Sequence, residues 1–104
     1  MADESYELHD HLFNWDKEKN LSNIEKHGVA FVEAATVFLN TNATVLDDKE
    51  HSQDEERFII IGISGNLRLL MVCHCYREKD DVVRIVSARK ATKKEGKIYG
   101  GAMQ

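Results

Sequence analysis

Apolar positions along this chain recur first at helical spacing and then at strand spacing, and the change of period divides it into two halves. Leu12 to Trp15 reads as a short strand, and Asp16 behind it is a suitable helix N-cap. A first helix is predicted over about Lys17 to His27, burying Leu21 and Ile24 three residues apart. Gly28 is placed to stop it, because glycine takes the left-handed conformation that ends helices without steric cost. A second helix is predicted over about Phe31 to Leu39, since Phe31, Ala34, Ala35 and Phe38 make one apolar stripe. Ala43 to Leu46 reads as a short strand. Asp47 to Glu56 reads as a polar loop, with seven charged residues and one histidine in ten positions.

The period then shortens. Arg57 to Ile63 is apolar after its first residue, as a strand covered on both faces would be. Ser64-Gly65-Asn66 turns the chain, Leu67 to Arg77 is the next strand, Glu78 to Asp81 turns it again, and Val82 to Ala88 is the last. Turns this short imply an antiparallel meander. A final helix is predicted over about Lys90 to Tyr99, closed by Gly100-Gly101. Helices and strands are segregated, so the expected class is α+β: two N-terminal helices and a C-terminal helix packed on a small antiparallel β-sheet. The expected organisation is an acidic N-terminal extension at 1–11, one domain at 12–100 and a tail at 101–104.

Composition narrows the function classes. A chain of 104 residues with 42% hydrophobic and 31% charged residues has room for one core and the balance of a folded domain. No apolar run is long enough for a membrane helix. The first residues are acidic, unlike a basic-then-apolar secretory leader, which points to the cytoplasm. The formal net charge of −4 argues against a polyanion-binding protein until it is located. From Arg77 to Lys97 there are eight basic and four acidic residues, so the rest of the chain holds a net −8. A phosphate responds to the local field, and that field is positive in the C-terminal third.

No phosphate-binding glycine loop, nucleophile elbow, Cys-x-x-Cys pair or His-Glu-x-x-His helix is present. Cys73 and Cys75, two apart in a strand, are read as reduced, buried thiols, with His74 on the opposite face. A metal site made from these three residues is the competing reading. His9, His11 and His51 are read as solvated. What remains is a set of arginines at strand ends: Arg57, Arg77, Arg84 and Arg89. A guanidinium suits phosphate because it keeps its charge and donates paired hydrogen bonds from a planar fork. Cleavage of RNA through its own 2′-hydroxyl needs a base, an acid and positive donors at phosphorus, with metal optional. His27, Glu56, Glu95 and Tyr99 are the candidates for proton transfer. Each also has a structural reading: a helix-end histidine, an ion pair beside Arg57, a carboxylate among lysines, an anchoring ring. In a regular last strand Arg84 shares a face with Val82 and Val86, and Arg89 falls on the other, so the two need not share a site.

Several motifs in order resemble the BrnT family. They are Phe13-Asn14-Trp15-Asp16 with Lys19-Asn20, Lys26-His27-Gly28-Val29 leading to Phe31, Ala34 and Phe38, then Glu56-Arg57, Gly62, Arg77, and Arg84-Ile85-Val86-Ser87-Ala88-Arg89 followed by Ala91, Glu95 and Tyr99. The resemblance spans about Phe13 to Tyr99. It implies a RelE-like fold and a metal-independent, cofactor-free endoribonuclease toxin of a type II toxin–antitoxin system. It further implies a BrnA-like ribbon-helix-helix antitoxin, contact with operator DNA only through that antitoxin, and a heterotetramer. The family pattern falls here on His27, Arg57, Arg77, Arg84, Arg89, Glu95 and Tyr99. The chain departs from the pattern in three places: Ala30 stands where a serine usually caps the second helix, Asn40 replaces a frequent aspartate, and the run Cys73-His74-Cys75 is unusual. The alternative to an enzyme is a module that binds RNA or a partner without cleaving, as a co-repressor subunit would.

Overall fold

A computed structural model of the chain describes residues 2–102. Six strands and three α-helices follow in the order β1 (Asp3–Leu8), β2 (His11–Asp16), α1 (Lys17–His27), α2 (Phe31–Thr36), β3 (Thr44–Asp47), β4 (Phe58–Ile63), β5 (Leu69–Arg77), β6 (Val82–Lys90) and α3 (Lys93–Ala102). Short 3-10 turns occupy Val37–Leu39 and Lys49–His51. The class is α+β as expected, but the sheet is mixed. Its strand order is β1-β2-β6-β5-β4-β3, with β2 parallel to β6 and every other pair antiparallel. The first half of the chain thus closes onto the last strand, a non-local pairing that leaves no periodic trace in the sequence.

The segment expected to be an acidic extension is strand β1. It pairs with β2 through a hairpin whose two turn residues, His9 and Asp10, both have positive φ (48° and 69°), the geometry that matches a hairpin to strand twist. Tyr6 and Leu8 pack on the core, and Glu4 accepts a 2.8 Å hydrogen bond from the indole of the buried Trp15. At the other end α3 starts later than expected and runs through Gly100-Gly101 to Ala102; the rest of the expected tail, residues 103–104, lies outside the described residues.

The helices are held by specific side chains. Asp16 caps α1 through the amides of Glu18 and Lys19, and Gly28 ends it at φ 68°. Leu21 and Ile24, expected in the core, are 56% and 41% exposed, and Asn23 is the buried residue of α1. The reason is the position of the helix. Beyond Asn14 and Arg84 strand β2 has turned into α1, and α1 takes its place beside β6. There the Asn23 amide accepts from the Ala88 N–H and donates to the Ala88 and Val29 carbonyls, as a neighbouring strand would. α2 lays Phe31, Ala34 and Ala35 on one face of the sheet against Phe13, Trp15, Ile60, Leu70, Val72, Ile85 and Ala88. α3 covers part of the opposite face, with Tyr99 against Ile61 and Met71. Strand β4 is therefore covered on both sides, as its apolar run predicts. At Gly62 a methyl group would lie within 3.0 Å of Val37, Asn40 and Ala43, so the turn after α2 can approach only because no side chain stands there.

Candidate active site

The four arginines reach one face of the sheet because β6 carries a bulge. Cys73 pairs with Ser87 while His74 pairs with Ile85, so Val86 is an extra residue. The bulge reverses the inside–outside alternation. Arg84, opposite Cys75, and Arg89, opposite Met71, then project on the same side, with Ser87 between them. The expectation that they point to opposite faces fails for this reason. Arg77 lies on β5 in phase with Met71, Cys73 and Cys75, and Arg57 lies two residues before Ile59, the partner of Cys73. All four belong to the face opposite α2, and α3 covers only part of that face.

Three of these arginines have a carboxylate partner from the chain itself. Arg89 makes a two-pronged pair with Glu95, both bonds 2.8 Å. Glu95 also accepts from the Thr92 amide while Thr92 Oγ1 accepts from the Glu95 amide, a capping box that starts α3. Its hydrogen bonds from Arg89 hold the Glu95 carboxyl below the usual carboxylate range, and the same contact raises Arg89. Arg77 meets Glu55 at 2.6 Å and Cys75 Sγ at 3.0 Å. Arg84 meets Asp3 of β1 at 2.8 Å and Asn14 at 3.3 Å. The Glu55 carboxyl is lowered chiefly by its bond from Arg77, and also by the field of Arg77 and Arg57. That of Asp3 is lowered chiefly by its bond from Arg84, and also by the field of Arg84 and Arg77. Glu55 thus feels both Arg57 and Arg77, and Asp3 both Arg77 and Arg84.

Arg57 differs from the others. Its Nε is shut off from solvent without a hydrogen-bond partner, and among the described residues no carboxylate lies within ion-pair distance of it. It opens into a cleft of about 300 Å³ shared with Asp48, His51, Cys73, Ser87, Arg89 and Glu95. Cys73 is a thiol here: burial, with the Asp48 carboxylate beside it, pushes its pKa up to about 12.

The proton-transfer candidates fare unevenly. Glu95 is in the cleft but clamped by Arg89. His27 is exposed at the end of α1, in a separate depression with Lys19, Lys26, Val86 and Ser87, the last two of which also line the cleft. Glu56 is exposed; its neighbour Glu55 makes the ion pair. Tyr99 is buried beneath α3 with its hydroxyl donating to Asn40 at 3.1 Å, which is an anchoring position outside the cleft lining. His74 lies on the α2 face, fully buried against Phe38, Phe58 and Tyr76, and shares no ligand geometry with Cys73 and Cys75. Among the described residues no three metal-binding side chains cluster.

Sequence reading missed the partners. Asp48 and His51, three apart in the polar loop, form a 3.0 Å contact at the cleft. Their spacing was a usable signal, and the charge density of the loop hid it. Asp3 and Glu55 had no local signal, because each meets its arginine across the sheet.

A family model described as "Ribonuclease toxin, BrnT, of type II toxin-antitoxin system" matches residues 15–95. The crystal structure of the Brucella abortus ribonuclease toxin BrnT superposes with a TM-score of 0.59 at 26% identity, covering 76% of this chain and 94% of that one. Comparison with curated proteins gives no match.

Proposed function

Since the chain belongs to the BrnT family of ribonuclease toxins of type II toxin–antitoxin systems, we propose that its arginine face binds RNA and cleaves it by internal attack of a 2′-hydroxyl, without a metal. The observation that carries this reading is the convergence of Arg57, Arg77, Arg84 and Arg89 on one side of the sheet through the bulge at Val86. Attack at phosphorus concentrates negative charge on the non-bridging oxygens. Fixed guanidinium donors are worth most where that charge appears, because they need no reorganisation at the moment of reaction. Arg57 is the member ready to act, having among the described residues no internal anion to exchange for phosphate. Arg77, Arg84 and Arg89 are held in line by Glu55, Asp3 and Glu95, and a phosphate of the RNA backbone takes over from the carboxylate as it docks.

We read the sheet as a RelE-like arrangement and the partner as a BrnA-like ribbon-helix-helix antitoxin. That antitoxin neutralises the toxin in a heterotetramer and supplies all contact with operator DNA. The working compartment is the cytoplasm, in keeping with a nucleic-acid substrate and two free, buried thiols. No helix among the described residues is long and apolar enough to cross a membrane.

Purified toxin incubated with a labelled RNA tests this directly. Cleavage is expected, and Arg57→Ala is expected to slow it by about 100-fold or more, the usual cost of losing one fixed donor to a transition-state oxyanion. Retention of intact RNA at low salt, with no products from the unaltered protein, selects the other reading, a binding module. That reading draws its support from the three arginines already paired within the chain.

A further inference from the structure

Proton transfer needs a group whose geometry leaves one nitrogen or oxygen free, and His27, Glu95 and Tyr99 do not supply it at the centre of the cleft. His51 does. Its Nδ1 lies 3.0 Å from both oxygens of Asp48. A carboxylate only accepts, so the proton of the neutral ring is on Nδ1 and Nε2 is left as the acceptor. Asp48 is itself fixed: its side chain is 8% exposed, Cys73 donates to Oδ2 at 3.5 Å, and its amide donates to the Arg57 carbonyl at 2.9 Å. Ser52 closes the same turn, donating to the Asp48 carbonyl and accepting from the Arg57 amide. One short segment thus couples a buried carboxylate, an imidazole that is 60% exposed, and the unpaired arginine. The charged and titratable groups lining the two clefts that His51 borders are Asp48, Glu50, Asp54 and Glu55 from its own loop, Arg57 just before β4, Cys73 on β5, Arg89 on β6 and Glu95 on α3.

We infer that His51 is the general base of this site and that Asp48 is the residue that positions it. Resting on the ribonuclease reading above, the step runs as follows. His51 Nε2 takes the 2′-hydroxyl proton, the 2′-oxygen forms a bond to phosphorus, and the bond from phosphorus to the 5′-oxygen breaks. The departing 5′-oxygen takes a proton from water, the His51 imidazolium gives its proton to the hydroxide left behind, and the products are a 2′,3′-cyclic phosphate and a 5′-hydroxyl end. Arg57 and Arg89, which line the same cleft, face the phosphoryl oxygens. Asp48 orients the ring and steadies the imidazolium as it forms.

The test is single-turnover cleavage of a 5′-labelled RNA across about pH 5 to 9, paired with RNA affinity by fluorescence anisotropy, because a general base leaves an acid limb on the rate profile. His51→Gln is expected to slow cleavage by about 100-fold or more and to remove the acid limb, with affinity changed by less than about threefold. Asp48→Asn is expected to slow cleavage with RNA affinity changed by less than about threefold and to move the His51 imidazole resonances, which a structural loss elsewhere would not do. In the unaltered protein, an oligonucleotide with 2′-deoxy linkages, which cannot be cut, is expected to shift the His51 imidazole resonances; this arm does not depend on how any variant folds. Cleavage by His51→Gln within about threefold of the unaltered rate, or an imidazole signal indifferent to the oligonucleotide, overturns the assignment. If instead the unaltered protein retains RNA without cutting it, the ribonuclease reading itself falls and the base assignment falls with it.

Discussion

His74 is buried where an imidazole has little to gain. Its ring is enclosed by Phe38, Phe58 and Tyr76, Nδ1 has only the Val72 carbonyl at 3.3 Å, and Nε2 has no partner. Burial drives its pKa from the ordinary 6.5 down to about 4. In the unfolded chain the ring takes up a proton as the pH drops past 6.5, while in the folded protein it stays neutral until about 4. The unfolded state therefore binds more protons in that window, and stability, complete above the window, drains away as the pH falls through it. The shift corresponds to about 3 kcal/mol by pH 4. Urea unfolding at a series of pH values checks this, and His74→Phe, which suits the aromatic surroundings, is expected to flatten that part of the dependence. A profile unchanged by the substitution would assign the acid sensitivity to other groups. The pattern of alternation placed His74 opposite the two cysteines correctly, yet nothing in the run Cys73-His74-Cys75 announced how completely it would be enclosed.

At the level of elements, the start of α2 shows how a missing cap is partly made good. Ala30 sits in extended backbone suited to a cap (φ −83°, ψ 148°) but offers no side-chain oxygen. Asn20 of α1 reaches over and accepts from the Phe31 amide at 2.8 Å. Glu33, which would complete a capping box with a serine, is directed instead to Arg68 and Ser64, tying α2 to the turn between β4 and β5. Ala30→Ser is expected to stabilise the protein by about 0.5 to 1 kcal/mol, read as a higher urea midpoint with the slope unchanged. A lower midpoint would mean that the new hydroxyl disturbs Asn20. Local signals of this kind were legible in the sequence: Asp16, Gly28, the α2 stripe and the apolar run of β4 all lie where their residue chemistry put them. The pairing of β2 with β6 and the exposure of Leu21 and Ile24 were not, because both follow from a contact some seventy residues away in the chain.

For the molecule as a whole, the acidic total and the cationic face are two sides of one arrangement. Carboxylates from β1, from the loop before β4 and from α3 are spent on the arginines, so the face is preorganised yet electrically muted. Hydrogen bonds from the arginines keep Asp3, Glu55 and Glu95 ionised below the usual carboxylate range, and mild acid does not release them. Relieving one of them chemically should strengthen RNA binding. Asp3→Asn, on an exposed pair, is expected to tighten binding roughly two- to fivefold at low salt, with the gain shrinking as salt rises. Anisotropy titrations at two salt concentrations measure this. Affinity that is unchanged or weaker would mean that Asp3 does not compete with phosphate.

The irregularity at Val86 has a consequence for how this protein can vary. What aligns Arg84 with Arg89 is the number of residues separating them, five positions that only a surplus residue turns into an in-phase pair. Exchange of Val86 for another side chain leaves that count intact. Loss or gain of one residue anywhere between the two arginines would send one of them through to the α2 side, splitting the cationic row between two surfaces while every recognisable motif remained in place.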